Sequence, residues 1–265
     1  MNNEINNLAT NLNYLTKANY VSGKIIEYDI KSANITMLRK YGKITQEYYD
    51  YLARLPKLHR EVEVGLLIRK DKSYYDTIQF GIIEAKKQLL ALNNIQPASV
   101  VRIANDAVYI NTPYSLQYTT FDDVVFKEKS INNVFMNLGN NILVFVSFIG
   151  NEIDIDIKGI SKANQVLHQE YMISFIANVI YMIERVSVND ALTMVTEFYK
   201  NYVDRKLPIG YYRNLDADSM YRVSGSNFYI SNSVELDKID IGCNLRILRE
   251  IWSIVLSLCN LRKGQ

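Results

Sequence analysis

The feature that most constrains the fold is a pair of short apolar segments separated by two turn-forming residues. Ser99–Ile103 and Ala107–Asn111 are rich in β-branched and apolar residues, and Asn105 and Asp106 lie between them. Asn and Asp stabilise tight turns because their side chains accept hydrogen bonds from the backbone two residues further on. The pattern therefore predicts an antiparallel hairpin with Asp106 at its tip.

Other segments add strands and helices to this hairpin. Lys24–Ile30 is an apolar strand, Leu143–Phe148 and Glu152–Lys158 form a second hairpin, and the β-branched segment Val62–Arg69 is interpreted as a further strand. Apolar spacing and capping residues predict six helical segments: Asn3–Lys17, Ser32–Tyr41, Thr45–Leu55, Tyr74–Asn93, Lys162–Tyr202 with a break near Ser187–Asn189, and Ile241–Leu261. We therefore expect an α+β protein, with an antiparallel sheet and packed helices followed by a helical region.

Composition and charge exclude several classes of protein. The net charge is +2, so a nucleic acid partner would require basic residues that are concentrated locally. The two cysteines and two histidines lack zinc-site spacing, and the sequence contains no glycine-rich phosphate loop of the P-loop or Rossmann type. The N-terminus has no signal-peptide pattern, and Tyr171–Val186 is too short and too polar to span a membrane. We expect a cytoplasmic protein without a membrane partner.

Two aspartates occupy positions where apolar strands meet turns. Asp29 lies near the end of the strand Lys24–Ile30, and Asp106 lies at the tip of the predicted hairpin. Adjacent strands of one sheet can bring such residues side by side, and a pair of carboxylates binds Mg²⁺ through oxygen ligands. The alternative that Asp106 is only a turn residue stays open, because Asp is common in turns for purely local reasons.

The segment around Asp29 resembles motif A of family-B DNA polymerases. In Asp29-Ile-Lys-Ser32-Ala-Asn34-Ile-Thr36, the aspartate is followed by Ser at the third position after it and by a small residue at the seventh. The resemblance implies that Asp29 binds metal and that the turn containing Ser32 passes beneath a nucleoside triphosphate. In the family, an aromatic residue five positions after the aspartate acts as a gate against ribose. That position holds Asn34 here, so the resemblance does not extend to this means of selecting the sugar.

Two further segments resemble motifs B and C of the same family, in the same order. Phe80-Gly81 is similar to the Tyr-Gly end of motif B, and Asp106 takes the place of the second, metal-binding aspartate of motif C. Ala104 replaces the first aspartate of that motif. The resemblance to motif B also implies phosphate contacts for a preceding basic segment, Arg69, Lys70 and Lys72, although a solvated loop is the simpler alternative.

The resemblance continues beyond motif C to about Ile209. Phe126-Lys127-Glu128-Lys129 is followed by a hairpin and by Lys158-Gly159-Ile160, which is similar to the passage from palm to thumb in family-B polymerases. The family's basic primer-gripping strand is replaced by Asn140-Asn141-Ile142-Leu143. Residues 1–160 are accordingly expected to be palm-like with reduced fingers at about 40–80, and residues 161–265 to be a thumb-like helical region with a C-terminal helix.

The resemblance implies template-directed DNA polymerase activity by two metal ions, with Asp29 and Asp106 as catalytic residues and Mg²⁺ or Mn²⁺ as cofactor. Its partners would be primer–template DNA and deoxynucleoside triphosphates, contacted by Ser32, Asn34, Arg69, Lys70, Lys72 and Lys158. The chain would be a truncated enzyme or one part of a split polymerase with a second protein subunit, and its origin would be viral, from a phage in particular.

Two alternatives stay open at this point. The substitutions at Asn34 and Ala104 and the altered primer-gripping strand are also compatible with a catalytically degenerate polymerase fold. Such a protein would bind nucleic acid or a protein partner as a structural or regulatory viral factor. A nuclease built on the same carboxylates is the third possibility.

Overall fold

The computed structural model describes residues 3–150, 152–215, 221–223, 229–230 and 235–263. They form two compact units, one made of Met1–Lys17 and Gly23–Ile131 and the other of Ala18–Ser22 and Asn132–Gln265. The expected α+β class with an antiparallel sheet and packed helices is confirmed. The predicted division into a palm-like region at 1–160 and a thumb-like region at 161–265 stays a prediction.

The first unit is built on a sheet that contains the predicted hairpin. The elements in chain order are α1 (Asn3–Thr10), β1 (Tyr20–Ile30), α2 (Ala33–Lys40), α3 (Gln46–Arg54), α4 (Lys57–Lys70), α5 (Ser73–Leu92), β2 (Val100–Ala104), β3 (Ala107–Asn111), β4 (Thr120–Phe121) and β5 (Val124–Asn137). The strands run in the order β2-β3-β1-β5, and β4 pairs with β5. The pairs β1–β3, β2–β3 and β4–β5 are antiparallel.

Helices α2 and α5 pack closely because α5 carries a glycine at their contact. A Cβ at Gly81 would lie only 2.7 Å from the Sδ of Met37, so no larger residue fits without displacing that side chain. Ile78, Ile82 and Leu89 are buried on the same face of α5, as the predicted helical spacing requires. The glycine that resembles motif B therefore has a packing role in this fold.

The prediction of a strand at Val62–Arg69 is wrong, because this segment belongs to helix α4. Pro56 precedes the first turn of α4, where a proline ring is tolerated. Val64 is buried and Leu67 and Ile68 are partly buried on one face, whereas Leu58, Val62 and Leu66 are exposed on the other. Apolar residues on both faces conceal the helical period, and the β-branched content then favours the wrong element.

Strand β5, the longest strand in the described ranges, was not predicted from the sequence. Its centre, Lys127-Glu128-Lys129, is polar and exposed, while its two ends are buried. A strand with a charged centre lacks the alternation of apolar and polar residues that identifies a half-buried strand. This charged centre lines the candidate site described below.

The second unit contains the end of β5 followed by the second predicted hairpin. Strands β6 (Leu143–Ile149) and β7 (Glu152–Lys158) are antiparallel, and β6 pairs with Val134–Asn137 of β5. The other elements are α6 (Lys162–His168), α7 (Ser174–Tyr181), α8 (Val188–Val203), α9 (Gly242–Lys263) and the short strands β8 (Tyr221–Arg222) and β9 (Tyr229–Ile230). Two π-helical turns, Gln169–Ile173 and Met182–Val186, separate α6, α7 and α8.

The expected helices of the second unit are present. Ser187 caps α8 by accepting a hydrogen bond from the backbone N–H of Asp190. Trp252 on α9 is 38% exposed, and its indole N–H donates to the hydroxyl of Thr196 on α8. His168 is fully buried, and burial lowers its pKa to about 4.

None of the helices in the described ranges is both long enough and apolar enough to cross a membrane.

Replacement of Gly159 by Ala should destabilise the second unit strongly. Gly159 has a φ of +88°, and a Cβ there would overlap the carbonyl oxygen of Asn141. Left-handed strain and overpacking together should lower the free energy of unfolding by about 3 kcal/mol. Urea unfolding followed by the fluorescence of Trp252, the chain's one tryptophan, measures the loss.

Gly150→Ala is the matched control for this experiment. Gly150 has a φ of +63°, but nothing lies within 4 Å of the position of its Cβ. This variant should lose only about 1 kcal/mol, the cost of the left-handed backbone alone. Equal losses in both variants would show that the contact with Asn141 has no energetic effect.

Candidate functional site

The two predicted aspartates are brought together by the pairing of β1 with β3. Asp29 lies opposite Ala107 in the antiparallel register, one residue from Asp106 in the turn between β2 and β3. The backbone N–H of Ile30 donates to the carbonyl oxygen of Asp106 at 3.4 Å. Asn105 adopts a positive φ of 55°, which permits the tight turn that presents Asp106.

The two carboxyl groups interact electrostatically. Burial raises the pKa of Asp106, and the negative charge of the neighbouring Asp29 raises it further. Like charges held together disfavour ionisation of both groups, and a nearby cation relieves this repulsion. The pair is therefore a suitable position for a positively charged ligand.

A buried glutamate and a lysine complete the group of charges beside Asp29. Glu27 precedes Asp29 by two residues and therefore projects from the same face of β1. The Nζ of Lys129 lies 3.1 Å from Oε1 of Glu27 and 3.3 Å from Oδ2 of Asp29. Ser130 donates a hydrogen bond of 2.8 Å to the other carboxylate oxygen of Glu27.

The environment keeps Lys129 charged. Burial lowers its pKa, but the hydrogen bond and charge of Glu27, together with the charge of Asp29, outweigh that effect, so the pKa is raised. Sequence reasoning assigned no role to Glu27 or Lys129. The Glu-x-Asp pattern inside an apolar strand was the signal that could have identified Glu27, since it places both acids on one face.

A second lysine, Lys86, approaches Asp106 from helix α5. Its side chain is fully buried, and its Nζ has no hydrogen-bond partner. Burial lowers the pKa of Lys86 to about 8, although the charge of Asp106 acts in the opposite direction. Sequence reasoning missed this residue, because its position on a helix does not reveal that the surrounding elements enclose it.

The carboxylates open onto a cavity of about 480 Å³ in the first unit. The turn from β1 to α2, the inner face of α4, the β2–β3 turn and the centre of β5 form its walls. Ser32 and Asn34, both predicted to contact a nucleotide, line this cavity. The basic residues on its walls are Lys31, Lys57, Arg60, Lys127 and Lys129.

Four other predicted contact residues do not lie at this cavity. Arg69 and Lys70 end helix α4 and Lys72 precedes α5, and all three are exposed and absent from the cavity lining. Lys158 belongs to the second unit, where it forms an ion pair with Asp156. Glu84 on α5 is also absent from the cavity lining and forms an ion pair of 2.7 Å with Lys87.

The carboxylate oxygens of Asp29 and Asp106 suit a cation that keeps water or phosphate oxygens among its ligands. Within the part of the chain that the structure describes, no three or more His, Cys, Asp or Glu side chains form a group able to hold a metal ion. Asp29 and Asp106 alone resemble the few carboxylates that hold Mg²⁺, because this ion keeps several waters and substrate phosphates in its shell. Burial and the charge of Asp29 raise the pKa of Asp106, which is consistent with such a site.

The buried state of Lys86 predicts a particular dependence of stability on pH. The pKa is 10.5 for an ordinary lysine and about 8 in the folded protein, so the unfolded chain binds more protons between these values. The free energy of unfolding of the wild type should therefore rise with pH across this window, by about 3 kcal/mol relative to Lys86→Met. Urea unfolding at a series of pH values measures the difference.

Lys87→Met provides the control, because it removes a neighbouring lysine of the same helix and retains Lys86. Its stability should follow the wild-type pH dependence. If Lys86→Met and the wild type changed in parallel from pH 8 to pH 10.5, Lys86 would not have the depressed pKa that its burial implies.

Comparison with known proteins places the chain in a phage family. No curated protein matches it. The model of a protein family described as "Bacteriophage PBS1 gene 130 protein" matches residues 1–257, which supports the predicted phage origin. The match gives no indication of a family-B DNA polymerase. Because the match covers nearly the whole sequence, the chain belongs to the bacteriophage PBS1 gene 130 protein family.

Proposed function

We propose that this chain is a metal-dependent nucleotidyl transferase that extends DNA on a template, as a reduced relative of family-B polymerases. The observation that supports the proposal best is the juxtaposition of Asp29 and Asp106 at a cavity that five basic residues also line. A strand-end carboxylate and a hairpin-tip carboxylate on paired strands are what the motif resemblance implies. A cavity of about 480 Å³ lies within the usual size range of small-molecule sites.

The walls of the cavity suit a polyphosphate. Lys31, Arg60 and Lys127 supply positive charge on these walls, while Lys57 is paired with Glu61 and Glu128 adds a further acid. Helix α2 begins beside them at Ala33, and its first backbone N–H groups have no carbonyl partner within the helix. A helix N-terminus with free N–H groups binds phosphate well, because the donors and the helix dipole act together.

The residues at the start of α2 position this phosphate site. Ser32 adopts a left-handed conformation with a φ of 51°, which turns the chain sharply between β1 and α2. Thr36 fixes the turn by donating a hydrogen bond of 3.0 Å to the carbonyl oxygen of Lys31. Asn34 lies in the first turn of α2, where it would face the sugar or phosphate of a bound nucleotide.

Asp29 and Asp106 would hold the divalent cation in this mechanism. When bound, Mg²⁺ or Mn²⁺ supplies the activation of the primer hydroxyl and the stabilisation of the leaving pyrophosphate. The chain's own contribution is to hold both carboxylates on paired strands, to neutralise the triphosphate with lysines and to orient it at the N-terminus of α2.

A second function is favoured by the contact between Lys129 and Asp29. A lysine ammonium already neutralises one of the two carboxylates, and Ala104 stands where the polymerase family has a further aspartate. A protein with this site could bind nucleic acid, or a protein partner, without catalysing a reaction. The lysines and the arginine of the cavity would then serve as a phosphate-binding surface only.

Primer extension distinguishes these functions. The purified chain should extend a primer on a DNA template with deoxynucleoside triphosphates and Mg²⁺ or Mn²⁺. Asp29→Asn and Asp106→Asn should each reduce the rate by about 10²- to 10³-fold, because they remove the charge that holds the cation. Asp154→Asn, an exposed aspartate on β7, is the control and should keep the wild-type rate.

Two further measurements decide the alternatives. Extension that persisted in both site variants would contradict the proposed roles of Asp29 and Asp106. Absence of extension in the wild type, with DNA binding retained in a fluorescence anisotropy assay, would favour the non-catalytic function. Degradation of DNA with Mg²⁺ in the absence of nucleotides would instead indicate a nuclease.

A further inference from the structure

The contact between Lys129 and Asp29 is part of a small, specific arrangement of charges. The ammonium group of Lys129 lies between two carboxylates on the same face of β1, at 3.1 Å from Glu27 and 3.3 Å from Asp29. Both distances are within the range of a direct ion pair. The one ammonium group therefore neutralises both carboxylates.

The two carboxylates of this arrangement have different surroundings. The side chain of Glu27 is only 6% exposed, and it receives hydrogen bonds or charge from both Lys129 and Ser130. The side chain of Asp29 is 28% exposed and lies on the wall of the cavity. A buried carboxylate needs a permanent counter-charge, whereas a carboxylate at a cavity can exchange one cation for another.

We propose that Lys129 is a tethered counter-ion of Asp29, which a divalent cation displaces when it binds between Asp29 and Asp106. Glu27 retains the ammonium group after the exchange, so Lys129 stays attached to the site. The inference rests on the proposed function, because it assumes that Asp29 and Asp106 bind a metal. Lys129 is a positioning residue in this scheme, since it acts through Asp29.

The exchange would couple binding of the metal to binding of a phosphate. A divalent cation beside the ammonium group of Lys129 repels it, and the repulsion is substantial at a partly buried site. Lys129 lies on the cavity wall with Lys127, so an anionic phosphate entering the cavity would neutralise the displaced ammonium group. The lysine thus keeps the carboxylates neutralised until both ligands are present.

Titration of the full chain with Mn²⁺ tests the inference without any measurement of activity. The free Mn²⁺ signal in electron paramagnetic resonance gives the dissociation constant for the wild type and for Lys129→Met. Removal of the competing ammonium group should tighten Mn²⁺ binding by about tenfold, within the usual range of coupling between two sites.

Lys70→Met is the control, because Lys70 is exposed at the end of α4 and does not line the cavity. This variant removes the same formal charge, so it should affect the metal only through the overall electrostatic potential of the protein. Its dissociation constant for Mn²⁺ should stay within about twofold of the wild type.

A second variant separates the effect of Lys129 on metal binding from its effect on folding. Loss of Lys129 leaves Glu27 buried without its ion pair, which destabilises the fold. The double variant Glu27→Gln with Lys129→Met removes that buried charge and leaves Asp29 unchanged. It should bind Mn²⁺ more tightly than the single variant Glu27→Gln, again by about tenfold.

The outcomes separate this inference from the proposed function. An unchanged or weaker affinity in both Lys129 variants, with binding abolished by Asp106→Asn, would overturn the role of Lys129 and leave the metal site intact. Absence of Mn²⁺ binding in all variants would overturn the metal-dependent function, and the inference with it. Tighter binding in both Lys129 variants, lost when Asp29→Asn is added, would support both.

Discussion

The candidate site depends on the antiparallel pairing of β1 with β3. This register sets Asp29 opposite Ala107 and thereby places it beside Asp106 in the adjoining turn. A shift of one residue would turn every side chain of β1 to the opposite face, which would move Asp29 away from the cavity and Glu27 away from Lys129. The buried apolar residues of β1 fix this register, because Ile26 and Tyr28 must face the core for the unit to fold.

The cost of burying charge explains the composition of the site. Glu27 and Lys86 are both enclosed, and each lies near a group of opposite sign, Lys129 in one case and Asp106 in the other. A buried charge is tolerated only with such compensation, and the pKa of Lys86 nevertheless falls. Residues of this kind contribute little net stability, which agrees with the binding of a charged ligand proposed for this site.

Part of the site could be predicted from the sequence because its signals are local. Asp29 and Asp106 are acids at strand ends, and Ser32 and Asn34 follow Asp29 directly, so short motifs identified all four. Arg69, Lys70 and Lys72 were grouped with them by chain order alone, and the structure leaves them on the surface outside the cavity. Glu27, Lys86 and Lys129 belong to the site only through tertiary contacts, and no spacing along the chain indicates their convergence.

The sequence by itself determined both hairpins, helix α5 and the C-terminal helix, because turn residues and regular apolar spacing act over a few neighbouring residues. Only the tertiary structure decided that Val62–Arg69 is helical and that Val124–Asn137 is one long strand. Both segments lack a clear apolar period, one with apolar residues on two faces and the other with a charged centre. Their conformations are set by the elements that cover them, since packing overrides weak local preference.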